Sequence, residues 1–310
     1  MTSCERVQRT IRHESTDRLP YCITMVGSAW QKLGITSCRS QDDYFGNDVI
    51  KIAPPWWQWH NAQADWRAME APRGEPPVIG SGSYTAFTEA VNRAHDDGKY
   101  ALAIIYGSHF EKANSLRGIE NFLADMGCDL PFARRLLTKI IDRNLIMLEN
   151  ILAVREIDGV LLGSDWGSQQ DLLMSPDTWH DLIAPGEKRE YDLIHSYGKD
   201  VWIHSCGNIL KIIPSLIEMG VDVLNPVQPE CMDIEALKRE FGQRITFWGG
   251  VSTQRTLPYG TPDDVRRESR LVKSILGSNG GYVFSPAQEL QEDVPRANIE
   301  ALIDVAREAA

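Results

Sequence analysis

Two rhythms of apolar positions run along the chain. Short apolar runs at 21–25, 100–106, 159–162, 201–203, 221–224, 245–248 and 281–284 read as strands. Amphipathic stretches at 85–97, 108–126, 131–156, 208–219, 232–241 and 295 onward read as helices. Capping residues mark further helix starts. Thr2-x-x-Glu5 opens a helix that presents Val7 and Ile11 on one face. Ser175-Pro176 and Thr261-Pro262-x-Asp264 combine a hydroxyl cap with proline at the first helical position. Residues 28–80 have weak periodicity and crowd Trp56, Trp57, Trp59 and Trp66. They read as a long excursion that hides one more strand.

Short apolar strands alternating with helices predict βα units and a parallel sheet. Seven strands with an eighth hidden predict a (β/α)₈ TIM barrel, one domain over residues 1–310. The length of 310 residues suits it. Neither a strand–GxGxxG–helix nor a GxxxxGK[ST] occurs, so the phosphate cradles of nucleotide-binding sheets are missing.

Charge narrows the partners. A formal net charge of −11 disfavours nucleic acid, which requires a basic face. No run of about 18 apolar residues is present to span a membrane. The start, Met1-Thr2-Ser3-Cys4-Glu5-Arg6, lacks the apolar core of a secretion signal, so a cytoplasmic protein is expected. The six cysteines are scattered, which fits reduced thiols rather than a disulfide framework.

Barrel enzymes work at the C-terminal ends of their strands, and polar residues collect at those ends here. They include Ser108-His109, Ser164-Asp165-Trp166, His204-Ser205-Cys206-Gly207-Asn208, Asn225-Pro226-Val227-Gln228, Trp248-Gly249-Gly250 and Ser285-Pro286-Ala287-Gln288. His204-x-Cys206 is the sharpest feature, because imidazole and thiolate are the usual ligands of zinc. A buried thiol beside a satisfied core histidine is the alternative. Asp165 and His109 are expected as acid, base or metal partner, with a helix-cap role open for Asp165. Trp166, Asn225, Trp248 and Gln288 are expected to line the substrate pocket. Trp56, Trp57 and Trp59 read as a minor core under a loop or as an aromatic wall.

His204-Ser205-Cys206-Gly207-Asn208, Asn225-Pro226-Val227-Gln228-Pro229, Phe247-Trp248-Gly249-Gly250-Val251-Ser252-Thr253-Gln254 and Leu257-Pro258-Tyr259-Gly260-Thr261-Pro262 together resemble the uroporphyrinogen decarboxylase superfamily. The opening, Glu5-Arg6-Val7 to Asp17-Arg18-Leu19-Pro20, is similar to its N-terminal helix. The decarboxylase branch has an Arg-rich segment after the first strand. Met25-Val26-Gly27-Ser28-Ala29-Trp30 stands there instead, and it carries no cation to offset many substrate carboxylates. The other branch comprises zinc-dependent methyltransferases working with corrinoid proteins, whose metal is held by His-x-Cys and a cysteine near the last strand. His204 and Cys206 match. The last strand runs into Phe284-Ser285-Pro286-Ala287-Gln288, without a thiol, so Cys231 is the expected third ligand, with Glu230, Asp165 and Gln288 as alternatives. Fewer thiolates make zinc a stronger Lewis acid, which suits a methyl ether. The resemblance thus implies methyl transfer between a small donor or acceptor and a cobalamin held by a corrinoid partner protein. No D-x-H-x-x-G segment for holding that cofactor occurs here. A decarboxylase-like lyase and a non-catalytic binding barrel remain the alternatives, and a homodimer is left open as the assembly.

Overall fold

In the computed structural model, residues 1–54, 84–105 and 108–309 are described. The strands are β1 (Val49–Ile52), β2 (Tyr100–Ile105), β3 (Gly159–Gly163), β4 (Asp200–His204), β5 (Val223–Val227), β6 (Thr246–Val251) and β7 (Tyr282–Pro286). They form one seven-stranded sheet in chain order, and every neighbouring pair is parallel. The helices are α1 (Ser3–Ile11), α2 (Gly27–Leu33), α3 (Gln41–Phe45), α4 (Thr85–Asp96), α5 (His109–Arg117), α6 (Ile119–Cys128), α7 (Leu130–Leu152), α8 (Pro176–Thr178), α9 (Ala184–Ser196), α10 (Ile213–Met219), α11 (Ile234–Phe241), α12 (Thr256–Tyr259), α13 (Pro262–Leu276) and α14 (Arg296–Arg307). A π-helical turn, Trp179–Ile183, leads into α9.

Side-chain alternation explains why the strands read as unbroken apolar runs: both faces are buried. One face carries Val49, Tyr100, Leu102, Leu161, Trp202, Val223, Trp248 and Val283, an inner cluster that Val7 of α1 joins. The other face, with Ala101, Val160, Ile203, Leu224 and Phe247, belongs to the larger cluster formed with the surrounding helices. Helix α1 starts as its cap predicts, with the Thr2 hydroxyl accepting from the Glu5 amide. Thr261 and Asp264 form the reciprocal capping box of α13.

One expectation needs correction. Residues 21–25 do not form a strand. Tyr21 and Met25 make isolated parallel bridges to Phe284 and Leu290, and the Asp48 amide donates to the Tyr21 carbonyl. This segment therefore contacts both edges of a seven-stranded, α/β barrel-like sheet. The hidden strand is β1, a run of only four residues interrupted by Lys51. Trp56, Trp57, Trp59 and Trp66 lie outside the described residues.

Asp48, immediately before β1, is fully buried and draws together the guanidinium groups of Arg6 at 2.7 Å and Arg18 at 2.7 Å. Asp17 pairs with Arg6 as well. The arginines of the opening segment thus fasten α1 to the N-terminal end of the sheet. The C-terminal end is left for other chemistry. No helix among the described residues is long and apolar enough to cross a membrane.

Candidate functional site

Register brings Gly163, His204 and Asn225 side by side at the C-terminal ends of β3, β4 and β5. Trp202 points into the inner cluster, so His204, two residues on, faces the same way. The loops after β3 and β4 then lock together through backbone bonds. Ser164 N–H donates to the His204 carbonyl, and Asn208 N–H to the Ser168 carbonyl. Two glycines permit this approach. A Cβ on Gly167 would stand 2.6 Å from the Cys206 carbonyl oxygen, and one on Gly207 would stand 2.5 Å from that of Ser168. Gly207 also has φ +82°, a left-handed conformation that disfavours other residues.

That contact carries Asp165 to Cys206. Its Oδ1 accepts the Cys206 backbone N–H at 2.8 Å and stands 3.7 Å from His204 Nε2. Cys206 Sγ is 3.4 Å from the same nitrogen. Donor atoms of Asp165, His204 and Cys206 all fall within 4.8 Å of one another. Asn225 sits behind the imidazole, with Oδ1 2.6 Å from His204 Nδ1, and its Nδ2 donates to the Trp248 carbonyl. The amide oxygen therefore faces the imidazole, Nδ1 carries the proton, and Nε2 is turned toward Asp165 and Cys206. Gln288 Nε2 approaches Cys206 Sγ at 2.9 Å.

Burial holds the His204 imidazole below its ordinary value, against Asp165, which raises it. Burial also pushes the Cys206 thiol up to about 12; Asp165 adds to this, and the Gln288 amide opposes it. Without a cation the site holds a neutral imidazole and a protonated thiol. A metal would have to displace that proton.

Other expected site residues lie elsewhere. Cys231 donates to Gln169 Oε1 at 3.4 Å and is absent from the Asp165–His204–Cys206 group. Trp166 is fully buried against Trp179, with ring centroids 5.5 Å apart. Trp248 stacks edge-on upon Trp202 at 5.2 Å within the inner cluster. His109 is fully buried between α5 and α9, with Nδ1 3.1 Å from Glu187.

Two further residues at the mouth carry no motif in the sequence. Lys51 of β1 forms an ion pair with Glu289 at 2.8 Å and reaches Thr24. Both charges act on His204. A lysine inside an apolar strand was the available signal, but the weak periodicity around it concealed the strand.

A parallel α/β barrel-like sheet with His, Cys and Asp converging at its C-terminal end defines a class of barrel protein whose chemistry resides in the strand-end loops. The family model described as uroporphyrinogen decarboxylase (URO-D) matches residues 60–309. The chain belongs to that family. The uroporphyrinogen decarboxylase of Chlorobium phaeobacteroides is 25% identical over 185 residues, 57% of this chain and 49% of that protein. That of Psychromonas ingrahamii is 20% identical over 144 residues, 43% and 40% respectively. The chain thus spans about half the length of the curated relatives it matches. Among solved structures, a methyltransferase from Methanosarcina mazei superposes with a TM-score of 0.75 at 16% identity, covering 99% of this chain and 98% of that one. At that identity the likeness concerns the fold.

Proposed function

We propose that the chain is a zinc-dependent methyltransferase that moves a methyl group between a small donor, such as a methyl ether, and a corrinoid carried by a separate protein. The observation that carries this is the convergence of His204 Nε2, Cys206 Sγ and Asp165 Oδ1 at the strand ends. Bonds of about 2.0–2.3 Å to N, O and S donors give tetrahedral edges of about 3.3–3.8 Å. The 3.4 and 3.7 Å separations here match that scale, and the donor types suit zinc. Asp165, rather than Cys231, is the third ligand in this reading. Three protein ligands would leave a position open for substrate, as in catalytic zinc sites.

Bound zinc would act as a Lewis acid toward the oxygen or sulfur that parts from or accepts the methyl group. The chain's own residues prepare the site. Asn225 fixes the His204 tautomer, Gln288 donates toward Cys206, and the Asp165–Cys206 backbone bond holds the loop. Lys51 and Glu289 form a polar wall at the mouth. Residues 21–25, bridging both sheet edges, take the place of the eighth strand. A cytoplasmic setting, with a corrinoid protein meeting the strand-end face, completes the picture.

The test joins metal content with activity. His204→Ala and Cys206→Ala should each hold one zinc fewer per chain than wild type. Each should also fail to methylate cob(I)alamin from a methyl-ether donor. Unchanged zinc in both variants would overturn the site. A decarboxylase is the second reading, favoured by the names of the curated relatives. Turnover of uroporphyrinogen, with no methyl transfer, would establish it instead.

A further inference from the structure

His109 was expected at the barrel mouth, yet the structure gives it a polar cluster of its own. Ser108 and His109 begin α5, and Glu187 and Glu190 project from α9. All four are fully buried. Five separations among their donor atoms run from 3.1 to 3.8 Å. Ser108 Oγ is 3.3 Å from His109 Nδ1, 3.4 Å from Glu187 Oε1 and 3.3 Å from Glu190 Oε2. Nδ1 is 3.1 Å from Glu187 Oε1 and 3.8 Å from Glu190 Oε2.

These five edges of a four-cornered figure therefore centre on the value of about 3.3–3.6 Å expected around a tetrahedral ion with bonds of about 2.0–2.2 Å. The imidazole is oriented for ligation. His109 Nε2 lies 3.2 Å from the Ile183 carbonyl, which can only accept, so Nε2 carries a proton and Nδ1 is the nitrogen facing the carboxylates. A backbone carbonyl behind a ligating imidazole is the usual support of a metal-bound histidine. The π-helical turn that ends at Ile183 supplies that carbonyl.

Without an ion the cluster is poorly satisfied. One Nδ1 proton can meet one carboxylate, and two converge on it. Glu187 Oε2 and the neighbouring Tyr191 hydroxyl are buried beside each other; burial pushes the phenol up and the carboxylate adds to this, but without a hydrogen bond of good geometry between them. Asn144 donates to the remaining oxygen of Glu190 at 2.8 Å, and Lys112 in turn donates to Asn144. That leaves Oε2 of Glu190 directed at the cluster. A cavity of about 150 Å³, lined by His109, Ile141 and Gly186 among others, approaches from the side of α7.

We propose that Ser108, His109, Glu187 and Glu190 form a second metal site, separate from the strand-end site, that takes a divalent transition-metal ion through one nitrogen and three oxygens. The ion would fasten α9 to the start of α5. One imidazole makes the set unlike an all-oxygen calcium cage, and the absence of sulfur sets it apart from Cys206.

That last difference makes the two sites separable by spectroscopy. The metal-free full chain is titrated with Co²⁺. Two equivalents should bind, only one of them with thiolate-to-cobalt charge-transfer absorption. Cys206→Ala should lose that absorption and keep the other equivalent, with ligand-field bands alone. In His204→Ala/Cys206→Ala, one hyperfine-shifted and slowly exchanging imidazole N–H should persist, that of His109. Glu190→Gln should weaken this second equivalent at least tenfold. Should Glu190→Gln not fold, the double variant still decides. If it binds no Co²⁺, or shows no shifted slow imidazole proton, the second site is wrong. Loss of the charge-transfer equivalent from wild type would instead count against the strand-end site alone.

Discussion

A single amide decides which nitrogen of His204 is available. Asn225 spends its N–H on the Trp248 carbonyl, so its oxygen must meet Nδ1. The expectation that Asn225 touches substrate gives way to an orienting position behind the imidazole. Partners of this kind typically contribute about 10–100-fold to metal affinity. Asn225→Ala should weaken zinc binding by about that factor, while Asn225→Asp, which keeps the acceptor, should weaken it less. Competition against a chromophoric chelator measures both, and equal affinity for Asn225→Ala and wild type would refute the orienting role. At this scale the sequence singles out a pair but leaves its companion as one of several candidates. His204-x-Cys206 is a local spacing on one strand end, so it can be read from the chain. Asp165 arrives through the contact of Gly167 with the Cys206 backbone, which no spacing records. Cys231 looked equivalent because it too follows a strand, but the turn after β5 carries it to Gln169.

Elements buried on both faces were legible, because unbroken apolar runs such as those of β2 and β3 leave few alternatives. Legibility failed at β1 and in the gap between the two sheet edges. β1 is short and carries Lys51, whose inward charge breaks the pattern, while residues 21–25 look like a strand but bridge only at Tyr21 and Met25. What secures those edges is electrostatic. Asp48 takes Arg6, Arg18 and the Tyr21 amide on one buried carboxylate. Removing one partner of such a buried network leaves uncompensated charge and costs about 3–5 kcal/mol. Asp48→Ala should lose about that much stability in urea unfolding. Because Asp48 precedes β1 while His204 ends β4, folded Asp48→Ala should keep the wild-type zinc content. A stability loss below about 1 kcal/mol would mean the network is ornamental, and loss of zinc would mean the two ends are coupled.

The whole molecule is polar at both ends of its sheet, for different reasons. The C-terminal end gathers ligand types around His204. The N-terminal end gathers carboxylates: Asp158 and Asp200 flank the starts of β3 and β4, and Asp222 precedes β5 and contacts His195. Composition announced the net charge of −11 but could not show that acids would be half-buried together. Asp200 accepts the Tyr100 hydroxyl at 2.6 Å. Burial pushes its carboxyl up to about 6; the Tyr100 bond opposes this, and Asp222 and Asp158 add to it. The unfolded value is about 3.9, so the folded state holds this proton more tightly. The resulting stabilisation is present below about pH 4 and is lost as pH rises through about 6. A shift of that size is worth on the order of 3 kcal/mol. Asn at this position keeps an acceptor for Tyr100 and never ionises. Asp200→Asn should therefore match wild type near pH 4 and exceed it by about 3 kcal/mol at pH 7, read from urea midpoints at the two pH values. An equal difference at both would show that Asp200 is ionised throughout, held by the Tyr100 hydroxyl against its burial.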